Sequence, residues 1–177
     1  MAAGRGVVLY DYMLVRGGAE RLTLTLLDNL PDVDLIYGYR DDDAFPDEVM
    51  RRYRHRDLDA RSGVPVWRAL KVLHTFRQCR AVADYDWALF SGASAPLAVH
   101  QRNGAGHNYY YCHTIPRFAY DLREYYRART PPLARPLLDA FAAFVRSNYA
   151  GAVARMDTVI ANSENVRGRL KRYLGID

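Results

Sequence analysis

Short apolar runs alternate along this chain with longer stretches whose apolar residues recur every three or four positions, and the connections between them are brief. Residues 7–10, Val-Val-Leu-Tyr, are continuously apolar, the pattern of a strand buried on both faces. A loop over residues 11–17 leads to residues 18–29, where Ala19, Leu22, Leu26 and Leu30 share one helical face and Pro31 closes the element. Residues 33–39 read as a second strand. The run Asp41-Asp42-Asp43 opens a polar, arginine-rich connection with room for a short strand over residues 51–56. A second long helix is expected over residues 66–83, its core face carried by Leu70, Leu73 and Phe76.

The same alternation continues to the end. Residues 86–90 and 108–112 are strand-like, and the second of these is aromatic and too short for a helix. Pro131, Pro132 and Pro136 then introduce a helix with Leu137, Phe141 and Val145 on its apolar face, and Leu138 and Phe144 beside them. A last strand over residues 157–161 is followed by a helix capped by Asn162 or Ser163, with Val166, Leu170 and Leu174 turned inward. Strand and helix alternating with short connections predict one α/β domain, a Rossmann-like, doubly wound, mainly parallel sheet with helices on both faces.

Composition narrows the function classes. A chain of 177 residues buries a substantial core without covalent staples, and its two cysteines, Cys79 and Cys112, show no metal or redox spacing, so both are expected as buried thiols in a reducing compartment. The first apolar run begins at residue 7, which leaves no room for a signal peptide, and the uncharged stretch 87–101 is too short and too rich in Ser, Gly and Pro to cross a bilayer. The expected location is the cytoplasm, with a peripheral position at the inner face of the membrane as an open alternative. The net charge is +5, and of 25 basic residues only Lys71 and Lys171 are lysines. Arg68 and Lys71 fall on the opposite side of their helix from Arg77 and Arg80, a distribution that solvates several flanks and does not form a nucleic-acid-binding stripe.

Three strand-to-loop junctions carry chemistry. In Arg16-Gly17-Gly18-Ala19-Glu20, paired glycines precede a helix amino terminus, where free N–H groups attract anions and a ligand can approach the backbone; a plain tight turn is the competing explanation. The second, His113-Thr114-Ile115-Pro116-Arg117, follows the aromatic strand and breaks at Pro116, delivering together a histidine that can bond a hydroxyl or move a proton and an arginine suited to phosphate or carboxylate. The third is Asn162-Ser163, a helix cap that can also line a cleft. Sharper motifs fail. Gly104-Ala105-Gly106 lacks a third glycine and opens no helix, Gly92-Ala93-Ser94-Ala95-Pro96 has proline where a nucleophile elbow needs glycine, and Asp41 and Asp43 beside Arg40 fit a solvated turn better than a metal site.

Taken together, Gly17-Gly18-Ala19-Glu20, Tyr110-Tyr111-Cys112-His113-Thr114-Ile115-Pro116-Arg117, Val159-Ile160-Ala161-Asn162-Ser163 and Arg169-Leu170-x-x-Tyr173 resemble the amino-terminal domain of a retaining glycosyltransferase of family 4. This is the GT-B architecture of two Rossmann-like domains facing across a cleft, and the likeness is strongest to the mannosyltransferase-like branch that builds surface polysaccharides and O-antigens. The resemblance implies a nucleotide-sugar donor such as GDP-mannose, a glycan or lipid-linked acceptor, and no metal or other cofactor. It places Gly17 and Gly18 near the donor diphosphate or reacting sugar, makes His113 a catalytic residue contacting the donor sugar, turns Arg117 toward the acceptor, and assigns Asn162 and Ser163 to the cleft wall. Relatives commonly have proline directly after the threonine, whereas this chain has Ile115 there.

In that family the nucleotide contacts and the basic groups that neutralise the departing diphosphate belong to a carboxy-terminal domain, so these 177 residues are expected to be inactive without it. The segment 118–129, with Tyr120, Tyr125 and Tyr126 interleaved with Arg123, Arg127 and Arg129, is the expected acceptor or membrane surface. The alternative from another class is a noncatalytic Rossmann-like module that binds a nucleotide or a protein through the same sheet edge.

Overall fold

The computed structural model describes residues 4–99 and 107–177. The Gly104-Ala105-Gly106 motif lies outside the described residues. Six parallel strands form one sheet: β1 (Gly6–Tyr10), β2 (Val33–Tyr37), β3 (His55–Asp57), β4 (Trp87–Ser91), β5 (His107–Cys112) and β6 (Thr158–Ala161), in the order β3-β2-β1-β4-β5-β6. Among the described residues six helices alternate with them: α1 (Gly18–Asn29), α2 (Asp47–Met50), α3 (Pro65–Gln78), α4 (Arg123–Arg129), α5 (Arg135–Val153) and α6 (Glu164–Leu174). This is a Rossmann-like α/β fold. The strand order reverses direction between β1 and β4, and in such sheets the crevice beyond the carboxyl ends of the strands at that point is where ligands bind.

Strand alternation sorts the core into two layers. Val7, Leu9, Ile36, Ala88, Phe90, Tyr110 and Cys112 point to one face and are covered by Val72, Leu73 and Phe76 of α3, Ala142, Val145 and Tyr149 of α5, and Val166 and Leu170 of α6. Val8, Tyr10, Leu35, Tyr37 and Leu89 point to the other face and meet Leu27 of α1 together with Phe45 and Met50. Both cysteines are buried, Cys79 and Cys112 alike.

Element positions follow the sequence pattern, with corrections that have local causes. β2 stops at Tyr37, because the Gly38 amide turns to the carbonyls of Tyr10 and Asp11. The short third strand is His55–Asp57, and the helix expected over 66–83 breaks after Gln78, where Cys79 is extended, resuming as a 3-10 turn at Ala81–Asp84. On α1 the inward line is Glu20, Thr23 and Leu27, displaced by one position from the leucine stripe. On α5 it is Ala142, Val145, Tyr149, Ala152 and Val153, which leaves Leu137 69% and Phe144 43% exposed. The small alanines let the helix approach the sheet, and the large apolar residues are left at its flank. Phe141 stays at the boundary, stacked on Phe118 with ring centroids 5.5 Å apart.

Candidate functional site

The loop after β1 is pinned before it reaches the glycines. Met13 bridges to Arg40, its N–H donating to the Tyr39 carbonyl at 2.9 Å and its own carbonyl accepting from Asp41 at 2.8 Å. That delivers Gly17 and Gly18 to the carboxyl edge of the sheet, where α1 begins with no side-chain cap. A Cβ on Gly18 would meet nothing within 4 Å, so the backbone there lies open. Gly17 is different. A Cβ on it would come within 2.8 Å of the Glu20 carboxylate, which is folded back beneath the turn and only 6% exposed. Glu20 already supplies negative charge at this helix amino terminus, the position where an anionic ligand had been expected.

The Tyr10 hydroxyl at the end of β1 faces the Glu20 carboxylate, and burial together with that negative charge pushes the phenol far up. Tyr10 in turn meets the ring of His113, edge to face, at 6.5 Å, and Tyr111 flanks the same imidazole at 5.0 Å. The His113 Nε2 pairs with the buried Ser91 hydroxyl at 2.9 Å, across the switch point from β1. Burial lowers the His113 pKa and the Glu20 charge partly opposes it, so the ring is neutral at pH 7. Gly17, Gly18, Glu20, Tyr10, Ser91 and His113 thus form one rim on the α1 face, and the paired glycines and the histidine open to the same side.

This geometry makes a pH prediction. His113 holds its neutral form more tightly in the fold than in the unfolded chain, so its contribution to stability is complete above about 6.5 and is lost as pH falls through the depressed folded value. Ring-proton NMR is expected to show His113 titrating below the ordinary histidine range, and lower still in Glu20→Gln, where the opposing charge is gone. A titration at or above the ordinary value would contradict the burial argument.

The other predicted residues are placed as follows. The Asn162 N–H donates to the Cys112 carbonyl at 3.3 Å, which sets it beside His113 along the same edge. Ser163 caps α6, its Oγ accepting from Val166 N–H at 3.3 Å while donating to Asn162 Oδ1 at 3.1 Å. Arg117 is turned toward α6, where Asp121 takes both Arg117 Nη2 at 3.0 Å and Arg169 Nε at 3.2 Å. In the aromatic and basic segment, Arg123 and Arg127 both pair with Asp139, and Arg129 lies 3.6 Å over the ring of Tyr125. Tyr120 is half-buried against Tyr149 and Tyr173, while Tyr125 and Tyr126 are exposed.

Two features escaped the sequence reading. Asp11, one residue past β1 and 6% exposed, accepts the backbone N–H groups of Ala93, Ser94 and Ala95 at 2.7 to 3.0 Å. Burial pushes its pKa up to about 6 against the downward pull of those three amides. Gly92 opposes it at φ +108, and a Cβ there would sit 2.5 Å from the carboxylate. On the α3 and α5 side of this lock lies a cleft of about 330 Å³ walled by Tyr12, Tyr39, Phe118 and Phe141, with Arg68 and Ser94 among its polar groups. An acid directly after a buried strand was the signal for Asp11, but its partners are backbone amides some eighty positions away, which no side-chain motif announces.

No protein-family model matches this sequence, and no curated protein is significantly similar to it.

Proposed function

We propose that this domain is the acceptor-side half of a retaining GT-B glycosyltransferase of family 4, moving a sugar such as mannose from its GDP donor to a glycan or lipid-linked acceptor. The observation that carries the reading is the rim on the α1 face: a buried carboxylate, Glu20, and a neutral imidazole, His113, beneath the uncovered backbone of Gly18. A carboxylate accepts hydrogen bonds from sugar hydroxyls, and a neutral imidazole held through one nitrogen by Ser91 offers its other nitrogen to a hydroxyl. The same carboxylate repels phosphate. The rim therefore favours the sugar part of the donor, and in this reading a carboxy-terminal domain holds the nucleotide and neutralises the leaving diphosphate.

The acceptor belongs in the aromatic cleft across the Asp11 lock, where Tyr12, Tyr39, Phe118 and Phe141 match the apolar faces of sugar rings. For a lipid-linked acceptor, the neighbouring Tyr125, Tyr126, Leu133 and Leu137 supply an exposed apolar and aromatic surface for peripheral membrane contact. The reaction needs no metal ion from this domain. Gly18→Leu tests the donor assignment, since its side chain enters open space and leaves the fold intact. Assayed with a panel of nucleotide-sugars in the protein joined to its carboxy-terminal domain, this variant is expected to lose transfer while its melting temperature holds. Full transfer by Gly18→Leu would contradict the reading.

A further inference from the structure

The carboxyl ends of α3 and α5 lead into the starts of β4 and β6, so in this parallel sheet they lie at the amino-terminal edge, opposite the rim described above. Between them is a cleft of about 480 Å³, lined by Arg77 and Arg80 from the end of α3, Arg155 just past α5, and Gln78, Ser147 and Gly151. Among the described residues no carboxylate lines it. Several other guanidinium groups sit on acids: Arg5 and Arg54 on Asp34, and Arg123 and Arg127 on Asp139. Here Arg155 makes one hydrogen bond, to the Val99 carbonyl at 3.3 Å, and neither Arg77 nor Arg80 has an ion pair or hydrogen bond among the described residues.

A single arginine in a last helical turn is accounted for by the helix dipole. The dipole does not account for three converging on one concavity. Gly151 points the same way. It weakens α5 relative to alanine, yet a Cβ there would meet nothing within 4 Å, so packing does not require the glycine. Its effect is to keep the floor of the cleft open. We propose that this cleft binds a phosphorylated anion, a diphosphate or phosphomonoester group held by the guanidinium forks of Arg77, Arg80 and Arg155 with the Ser147 hydroxyl. The ligand is a soluble phosphate compound or an anionic lipid headgroup, which share this chemistry. The site is independent of the glycosyltransferase reading.

Inorganic pyrophosphate titrated calorimetrically into the whole chain tests the site. Saturable binding is expected, weakened about tenfold or more in the double variant Arg77→Ala, Arg80→Ala. Gly151→Glu should abolish it, because the new carboxylate enters the open floor and can pair with Arg155 one turn on. Its melting temperature should be unchanged or raised. Arg172→Ala on α6, which changes the net charge outside the cleft by as much as Gly151→Glu does within it, should leave affinity within about twofold. Cosedimentation with phosphatidylcholine vesicles containing phosphatidic acid, lost in the same cleft variants, would identify the lipid headgroup as the source. Pyrophosphate binding without cosedimentation would identify a soluble ligand. No pyrophosphate binding, or equal weakening in the cleft variants and Arg172→Ala, overturns the proposal.

Discussion

Asp11→Ala is expected to lower stability by on the order of 3 kcal/mol, a fall of about 10 °C in melting temperature for a domain of this size. The carboxylate is the common acceptor for the amides of Ala93, Ser94 and Ala95, and truncation leaves those donors without a partner in the interior. Solvation does not rescue the Ala95 donor, which is fully buried, and reaches the half-buried Ala93 and Ser94 only in part. Asp11→Asn is expected to cost less, since one amide oxygen remains, but its NH2 group then faces backbone donors. The effect has a pH signature. Because burial raises Asp11 from 3.8 to about 6, its protonation stabilises the fold below 3.8 and that contribution disappears as pH rises through 6. The penalty for Asp11→Ala should therefore be smaller at pH 7.5 than at pH 4.5. Thermal melts at the two values, showing equal or reversed penalties, would contradict the assignment.

The consequence reaches beyond stability, because the lock joins the two halves of the sheet where a ligand is expected. Its loop carries Ser91 on one side, beneath His113, and Ser94 on the other, in the aromatic cleft. The Gly92 carbonyl also accepts from the Tyr110 hydroxyl at 2.9 Å, which ties the loop to the layer under α5. A change at Asp11 thus disturbs both faces of the carboxyl edge together, whereas a change at Gly18 is confined to one.

The sheet was legible from sequence because a parallel strand buried on both faces leaves a continuous apolar run, as residues 7–10 do, and because the tyrosines of 108–112 are strand-favouring residues in a run too short for a helix. α6 was legible for a related reason: Val166 and Leu170 are large, apolar and inward, and Ser163 caps the helix as its residue type predicts. The orientation of α1 and α5 was not. In α1 the inward line includes Glu20 and Thr23, polar residues that a count of leucines passes over, and Glu20 is inward because the turn at Gly17 and the Tyr10 hydroxyl receive it. In α5 the contact with the sheet is made by alanines, and Leu137 was mistaken for core on size alone.

The candidate site divides the same way. His113, Gly17 and Gly18 announce themselves as chemistry-bearing types at strand ends, and the fold brings them to one rim. Arg117 was legible as a charge but not as the partner of Asp121, which it shares with Arg169 from the last helix. Asp11 and Glu20 act through long-range contacts with backbone and with a phenol, so their roles become visible only once β1, β4 and α1 are assembled.

The central claim, that His113 and Gly18 face one donor sugar, is tested most directly by His113→Ala. The ring is not a keystone of the core: it is half-buried, and among the described residues its one hydrogen bond is to Ser91. Melting should therefore change little, while the bond that the imidazole offers to a hydroxyl as the glycosidic link breaks is lost. The measurement is the rate of sugar transfer at saturating donor, in a protein that joins this domain to the carboxy-terminal domain the proposal calls for. A fall of about 100-fold or more with the melting temperature preserved is the predicted result. Turnover within a few-fold of the parent protein would contradict it.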